Sequence, residues 1–514
     1  MRTENQFRVV IVGGGTAGWM CAAGMARLLD ARDYAITLVE SDEIATVGVG
    51  EATLPHIKTF NDMLGIDEVE FLRETQGTFK LGIEFRNWGK PGDLYHHPFG
   101  TFGEPWAGVD FQHHWTRVKL AGLDPAPLQA YSYAVVAARA NAFEFPNEDQ
   151  KSIRSTYAYA YHFDAGLYAA YLRRWATARG ITRIEGLVQD IAKDGETGHV
   201  TGLTLKSGQR IEGDLFIDCT GFRSLLLGGL MKAEWDDWTK WLPCDRAMAV
   251  PCGRAGDFSP YTRSTAQEGG WIWRIPLQHR TGNGYVFSSA FMDEDRARDT
   301  LLAQLDAPAQ MEPKLLRFAA GRRKAGWTGN VVAMGLASGF LEPLESTSIF
   351  LIQAAVVDLI NLMPTKRTGM DPRLSAEFNR LFEIQYDRVR DFLILHYRLN
   401  QRVGQPLWDH VRTMPIPASL EEKLALFEGR AGLPDYKYGL FSRDSWLSVL
   451  EGQGIAPRAY DRLAEAMPLD VLSAKLADLK TRVDTNVAAM SSHADFIARY
   501  APGAVEAPRK AAAQ

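Results

Sequence analysis

Cysteine is scarce. The chain of 514 residues has 4, namely Cys21, Cys219, Cys244 and Cys252, with no C-x-x-C pair and no neighbouring histidine pair. That spacing argues against a zinc site or any other metal site and reads as four reduced, buried thiols. An excess of charge of one sign is also lacking. Lys and Arg number 57 against 62 Asp and Glu, interspersed to a net charge of -5, so neither a nucleic-acid footprint nor a polybasic membrane patch is expected. No apolar run approaches the roughly 20 residues that span a bilayer. The first apolar strand begins near Arg8 and leaves no room for a signal peptide, which makes the cytoplasm the expected location.

Aromatic residues, by contrast, are plentiful, with 13 Trp and 25 Phe, as suits a large core and an aromatic-lined pocket. The length exceeds what one core usually fills, so two or more lobes are expected. Between Arg8 and Trp19 the chain reads RVVIVGGGTAGW. A short β-branched strand breaks into Gly13-x-Gly15-x-x-Gly18 and then into helical spacing through Ala22, Ala23, Met25, Ala26 and Leu29. The first glycine permits the turn, the second lets backbone N–H groups approach a pyrophosphate, and the third lets helix pack on strand. Thr16 and Ala17 open the helix. A second strand, Ile36 to Val39, ends in Glu40, where an acid can hydrogen-bond a ribose hydroxyl and argues against a 2'-phosphate. The pattern predicts a bound dinucleotide.

The remaining organisation reads as α/β, a doubly wound Rossmann-like domain interrupted by inserted segments. The glycine-containing stretch Val47 to Pro55 holds Gly48, Gly50, Glu51 and Ala52 and suits a strap across a flat cofactor. Past Pro91 the sequence is aromatic and irregular until a helix around Asp164 to Arg179. Ile181 to Ile191 and Val200 to Leu205 read as strands joined by a polar turn, Gln209 to Ile211 follows, Asp214 to Gly221 reads as another buried strand ending in a small-residue turn, and a second irregular, Trp-rich stretch covers Ala233 to about Met292. Val331 to Gly335 is a late strand ending in glycine, and a helix opens near Thr347. From Asp371 onward the pattern is helical. The expected domains are 1–90, 150–232 and 310–365 for the nucleotide, 91–149 and 233–309 as an inserted β-rich substrate region, and 366–500 as a helical C-terminal substrate region. The Ala/Pro-rich tail 501–514 is expected to be disordered.

The glycine motif, Val47-Gly-Val-Gly-Glu51, Phe79-Lys80, Gly270-Trp-Ile-Trp-Arg-Ile-Pro276 and Phe340-Leu-Glu-Pro-Leu-Glu-Ser-Thr347 together resemble the flavin-dependent tryptophan halogenases. The likeness runs from residue 8 to about 450, and G-W-x-W-x-I-P is that family's signature. The resemblance implies a glutathione-reductase-type fold binding FAD as FADH2, with chloride or bromide and oxygen as co-substrates. A separate NAD(P)H-dependent flavin reductase is the implied partner, and a homodimer is kept open. It makes Lys80 the catalytic lysine, an amine that polarises hypohalous acid or forms a haloamine, the second route requiring a lowered amine pKa. Glu345 is implied to orient that species and to accept the ring proton, although an acid at a helix start is also stabilised by the dipole alone, by about 0.3 to 1 kcal/mol. Ser346 and Thr347 are candidate N-caps, which leaves backbone N–H groups of Thr347 and Ser348 to hold a halide. Gly335 and Leu344 are placed at the cofactor. Trp271 and Trp273, on one face of a strand, are implied to line the passage to the substrate. His97 and Phe99 match the family's H-x-F pair around the indole, and Trp446 falls in its substrate region. His96 and His396-Tyr397 read as packing.

The chain also departs from the family. Ser348 stands where members usually have glycine, which bears on the halide. The C-terminal stretch Asp435 to Trp446 is shorter by about a dozen positions than the tyrosine-rich clamp that binds the amino and carboxylate groups of tryptophan. A zwitterion buried without partners is costly, so indole or an indole derivative is the expected substrate, and bromide is expected to serve better than chloride. Two other readings stand beside this one, an aromatic hydroxylase and a non-catalytic flavin-binding protein. Gly335-Leu-Ala-Ser-Gly339, where hydroxylases usually show Gly-Asp-Ala, weighs against the first of them.

Overall fold

The computed structural model describes residues 6–44, 50–254, 256, 258–433, 436 and 440–502. Its contacts divide the chain into two units. The first comprises Met1–Thr75, Phe163–Pro243 and Arg317–Asp387, the second Gln76–His162, Cys244–Leu316 and Arg388–Gln514. Gly48 and the tail from 503 lie outside the described residues.

The first unit is built on the predicted glycine-loop strand. Phe7–Val12 is the fourth of six strands ordered Trp327–Thr328, Val331–Ala333, Leu215–Asp218, Phe7–Val12, Tyr34–Glu40 and Thr182–Glu185. It pairs in parallel with Leu215–Asp218 on one side and Tyr34–Glu40 on the other. Val9 to Val12 are buried almost completely, as expected for a parallel strand covered on both faces. The helix Thr16–Leu28 follows at once. Its Gly24 faces Val356 of the helix Ser348–Asn361, where an added Cβ would come within 2.8 Å of that side chain, so glycine sets the close helix contact. Ile181 to Ile191 is two strands rather than the predicted one. Thr182–Glu185 joins the parallel sheet, while Val188–Lys193 belongs to a separate antiparallel sheet with Val200–Leu205 and Arg210–Glu212. Gly186, with φ 158°, lies at the break.

The second unit holds a seven-stranded sheet in which Arg246–Cys252, Thr281–Phe287, Gly270–Pro276, Thr262–Gln267, Gly82–Arg86 and Leu94–Pro98 lie side by side. Only the pairing of Thr262–Gln267 with Gly82–Arg86 is parallel among these. Much of this sheet comes from stretches that read as irregular, because all seven residues of Thr281–Phe287 are buried and the alternation that marks a half-exposed strand is absent. Helices Phe111–Leu120 and Tyr133–Arg139 likewise occupy the aromatic stretch past Pro91. The predicted C-terminal helices are present as Pro372–Arg398, Leu469–Ala488 and His493–Tyr500. Among the described residues no helix is long and apolar enough to cross a membrane, and the four cysteines are buried and in no disulfide.

Candidate active site

In the first unit the glycine loop has the shape a nucleotide needs. Gly13 takes φ 115°, and a Cβ there would fall 2.2 Å from the carbonyl oxygen of Cys219. At Gly18 it would fall 1.9 Å from the carbonyl of Gly13. Gly15 is the N-cap of the first helix, and nothing lies within 4 Å of an added Cβ there. Residues 13–17 are half-buried, which leaves a helix N-terminus open to an anion. These residues fit FAD. Late in the same unit Gly335, with φ 60°, sits against Ala17, an added Cβ coming within 2.9 Å of the alanine methyl.

Glu40 ends its strand as predicted. Trp19 Nε1 donates to its Oε2 at 3.1 Å, Arg183 Nε donates to Oε1, and its carboxylate lies against the Cα of Gly14. Trp19 and Gly14 therefore orient the acid, a role not predicted from the motif, although Trp19 lies one turn into the helix that the motif opens. Glu51, in the short strand Gly50–Ala52, has its carboxyl pushed up to about 7 by burial and by the charge of Asp164. Asp164 itself caps the helix Ala165–Thr177, accepting from the N–H groups of Gly166 and Leu167.

Leu344 and Glu345 lie in a 3-10 turn, Pro343–Glu345, and both are buried. Ser346 then takes the left-handed region at φ 58°, its N–H donating to the Pro343 carbonyl at 3.1 Å. Thr347 is the N-cap of the helix Ser348–Asn361, but its side chain makes no capping hydrogen bond. Of the two candidate caps, Ser346 does not occupy the N-cap position, and Thr347 occupies it without its hydroxyl bonding the helix. A capping hydroxyl needs extended backbone, whereas Thr347 has φ −85° and ψ −15°. Its Oγ1 is fully buried and has no hydrogen-bond partner among the described residues.

In the second unit Lys80 ends the strand Thr78–Lys80, which pairs antiparallel with Ala160–Asp164 through Thr78 with His162, Phe79 with Tyr161 and Lys80 with Ala160. Lys80 is fully buried, and its Nζ stands 5.0 Å from the ring centroid of Phe99. The Phe99 ring is 6.5 Å from His97, which in turn is 5.6 Å from Phe392 and 6.1 Å from Phe441. Phe441 stacks on Phe392 at 3.8 Å, and Trp446, in the helix Arg443–Gly452, meets Phe392 edge-on at 5.0 Å. Lys80, Phe99, His97 and Trp446 thus belong to one aromatic run. Phe392 and Phe441 join it unpredicted, the former within the helix Pro372–Arg398.

Trp271 and Trp273 lie on the strand Gly270–Pro276 with ring centroids 6.1 Å apart, consistent with one face. Trp273 pairs across the sheet with Gly284, where a Cβ would fall 2.0 Å from the indole. The missing side chain at Gly284 is what lets the indole lie flat on the backbone. Trp271 continues to Trp88 at 6.4 Å. His96, beside Glu84, is lowered to about 4 chiefly by burial. His396 stacks on Phe85 at 4.6 Å and bonds the Tyr95 hydroxyl through Nδ1.

Two buried histidines flank the lysine strand. Thr78 Oγ1 donates to the Pro276 carbonyl at 2.8 Å, so it must accept from His162 Nδ1, 3.0 Å away. His162 Nε2 then accepts from Thr262 Oγ1 at 3.0 Å. Burial first, then the charges of Lys80 and Arg274 and the neighbouring His493, holds His162 well below the usual histidine range, and the ring is neutral.

A glycine-loop nucleotide fold with a buried lysine among aromatic rings defines a cofactor-dependent enzyme of aromatic compounds. A family model described as tryptophan halogenase matches residues 8–469. The tryptophan 6-halogenase ThaL of Streptomyces albogriseolus is 35% identical over 529 residues, covering 95% of this chain and 97% of that one. Among solved structures, a flavin-dependent halogenase from Xanthomonas campestris matches with a TM-score of 0.93 and 43% identity, covering 97% of this chain and 99% of that one. A second, BrvH from Brevundimonas sp. BAL3, matches with a TM-score of 0.92 and 42% identity, covering 96% and 99%. The chain belongs to the tryptophan halogenase family. It is a flavin-dependent halogenase, of a family whose members use FAD, a halide and a separate flavin reductase.

Proposed function

We propose that this halogenase acts on indole or an indole-bearing compound without a free amino-acid head, with Lys80 and Glu345 as its catalytic side chains. The setting of Lys80 carries the reading, a fully buried amine 5.0 Å over the Phe99 ring at one end of the aromatic run to Trp446. An aromatic ring stacked among these side chains is favoured by offset and edge contacts. When bound, reduced FAD supplies the electrons that turn oxygen and halide into hypohalous acid, the sum being FADH2, O2, halide, a proton and ArH giving FAD, ArX and two waters. Lys80 Nζ holds the hypohalous acid by hydrogen bond and polarises its O–X bond. The C–X bond forms as O–X breaks, and Glu345 takes the proton lost from the ring carbon, which after passing to solvent balances the hydroxide released. Gly13, Gly15, Thr16, Ala17 and Gly18 cradle the pyrophosphate and Glu40 the ribose. Gly50, Glu51, Ala52, Gly335 and Leu344 complete the cofactor site. The Thr347 hydroxyl, with the N–H groups of Thr347 and Ser348 at the helix start, holds the halide. Trp271 and Trp273 line the route to the aromatic substrate, and an NAD(P)H-dependent reductase supplies the reduced flavin.

Against free tryptophan stands the shortened segment ending at Trp446, whose indole is packed between Phe392 and the Lys423 ammonium, 4.9 Å from its ring. Bromide is favoured over chloride because it is easier to dehydrate and oxidise, and Ser348 replaces the usual glycine.

The test combines the protein with FAD, a flavin reductase, NADH, oxygen, bromide and chloride, and a panel of indoles and phenols that includes tryptophan, with products read by mass spectrometry. Brominated indole is expected, lost in Lys80→Ala and reduced about 100-fold in Glu345→Gln, within the range for a positioned acid or base. Tryptophan preferred over indole, or mainly chlorinated product in the mixed salts, would overturn the substrate or the halide reading respectively. Oxygenated product without halogen would overturn the roles given to Lys80 and Glu345.

A further inference from the structure

We propose that His493, the first residue of the helix His493–Tyr500, is a positioning residue for Lys80, fixing the strand Thr78–Lys80 through the backbone N–H of Phe79. The inference rests on the reading of Lys80 as catalytic. Phe79 N–H donates to His493 Nε2 at 3.1 Å, and His493 Nδ1 lies 3.1 Å from the Phe258 carbonyl. A carbonyl only accepts, so Nδ1 carries the proton and Nε2 is left with the lone pair that the Phe79 N–H needs. A buried backbone N–H without an acceptor is costly, and this imidazole provides the acceptor from a residue far along the sequence. Burial lowers its pKa to about 4, so the ring stays neutral and accepting near neutral pH.

The histidine is itself held. Its N–H donates to the Asn141 carbonyl at 2.8 Å, and the Phe143 N–H donates to the Ser491 carbonyl at 3.2 Å. Ser492 caps the helix by accepting from the Asp495 N–H. Further along, Phe496 and Tyr500, spaced to share a helix face with His493, set their rings 5.7 and 6.1 Å from Phe79. One helix therefore grips the residue before Lys80 by its backbone and by its ring. The family model ends at residue 469, so this grip lies beyond the matched stretch. A displacement of about 1 Å in a reacting group is enough to cost about 100-fold in rate, and Lys80 follows the anchored amide directly.

His493→Phe keeps an aromatic ring in the cluster and removes both hydrogen bonds. His493→Gln restores a donor and an acceptor at similar spacing. His493→Asn, one methylene shorter, is the second loss variant should His493→Phe not fold. The quantities read on the full chain are the rate of FADH2 oxidation, the KM for indole, halogenated indole formed per FADH2 consumed, hypohalite caught by a scavenger in solution, and amide exchange of the peptide carrying Phe79 and Lys80. For the loss variant we expect product yield to fall about 10-fold or more and released hypohalite to rise as yield falls. FADH2 oxidation and the KM for indole should stay within about twofold of wild type, with faster exchange at Phe79. His493→Gln should recover most of the yield. Wild-type yield in the loss variant, or a His493→Gln variant as poor as His493→Phe, would overturn the proposal. If Lys80→Ala still halogenates, it is the role of Lys80 that fails, while unchanged exchange at Phe79 would overturn the tether by itself.

Discussion

The two units build their candidate sites by opposite means. In the first, the chain removes side chains: Gly13, Gly14 and Gly18 stand where a Cβ would strike Cys219, Glu40 or Gly13, and the site is made of backbone. In the second, it buries large ones. Lys80, Phe99, His97, Phe392, Phe441 and Trp446 are all less than a tenth exposed, and the site is made of side chains packed on one another. Backbone sites tolerate almost no substitution at their glycines, whereas packed sites give way by degrees.

The sharpest way to break that contrast is Gly13→Ala. A methyl at φ 115° against the Cys219 carbonyl is expected to cost about 3 kcal/mol or more of stability and to abolish FAD binding, measured by thermal unfolding and by flavin titration. An alanine variant that binds FAD normally would show that the loop's shape does not depend on glycine. The second unit should respond more gently. Phe99→Leu removes the ring beneath Nζ, a contact worth about 0.5 to 2 kcal/mol, and is expected to lower halogenated product about 10-fold with FAD affinity unchanged. A loss of FAD affinity in that variant would undo the separation of roles.

A third effect is a pH dependence confined to the first unit. The Glu51 carboxyl lies at about 7 against an ordinary 4.5. The folded protein therefore binds more protons than the unfolded chain between these values, and stability falls as pH rises through that window. Below about pH 4.5 both states are protonated and the group contributes nothing. Glu51→Gln should raise the stability of the flavin-free protein by about 2 to 3 kcal/mol at pH 8 and leave it unchanged at pH 4. An equal gain at both pH values would mean that Glu51 is not the titrating group.

Much of the first unit can be read along the chain because its signals are local. The strand Phe7–Val12, the turn at Gly13 and the helix Thr16–Leu28 are contiguous, and each part forces the next. The sheet of the second unit is less legible. Thr281–Phe287 reads TGNGYVF and is buried along its whole length, and its Gly284 makes sense only when Trp273 is found lying on it. The same holds for individual residues. Lys80 is recognised through its motif, but the neighbour that orients its strand, His493, is 414 positions from Phe79, and nothing near it in sequence distinguishes it from a helix-start histidine. Ile181 to Ile191 misleads for a related reason, since apolar content does not reveal that the strand changes sheets at Gly186. The cap at Thr347 failed on a backbone angle, which residue type alone does not determine.

The hydrogen bonds around His162 have a direction. Thr262 gives to His162, His162 gives to Thr78, and Thr78 gives to the carbonyl of Pro276. A chain of this kind conducts a proton only if each member can both receive one and pass one on, and a peptide carbonyl cannot pass one on. The line is a blind alley beside the lysine strand. His162 therefore has no onward route for a proton through Thr78, and its bonds serve to hold the strand Thr78–Lys80 against its neighbour.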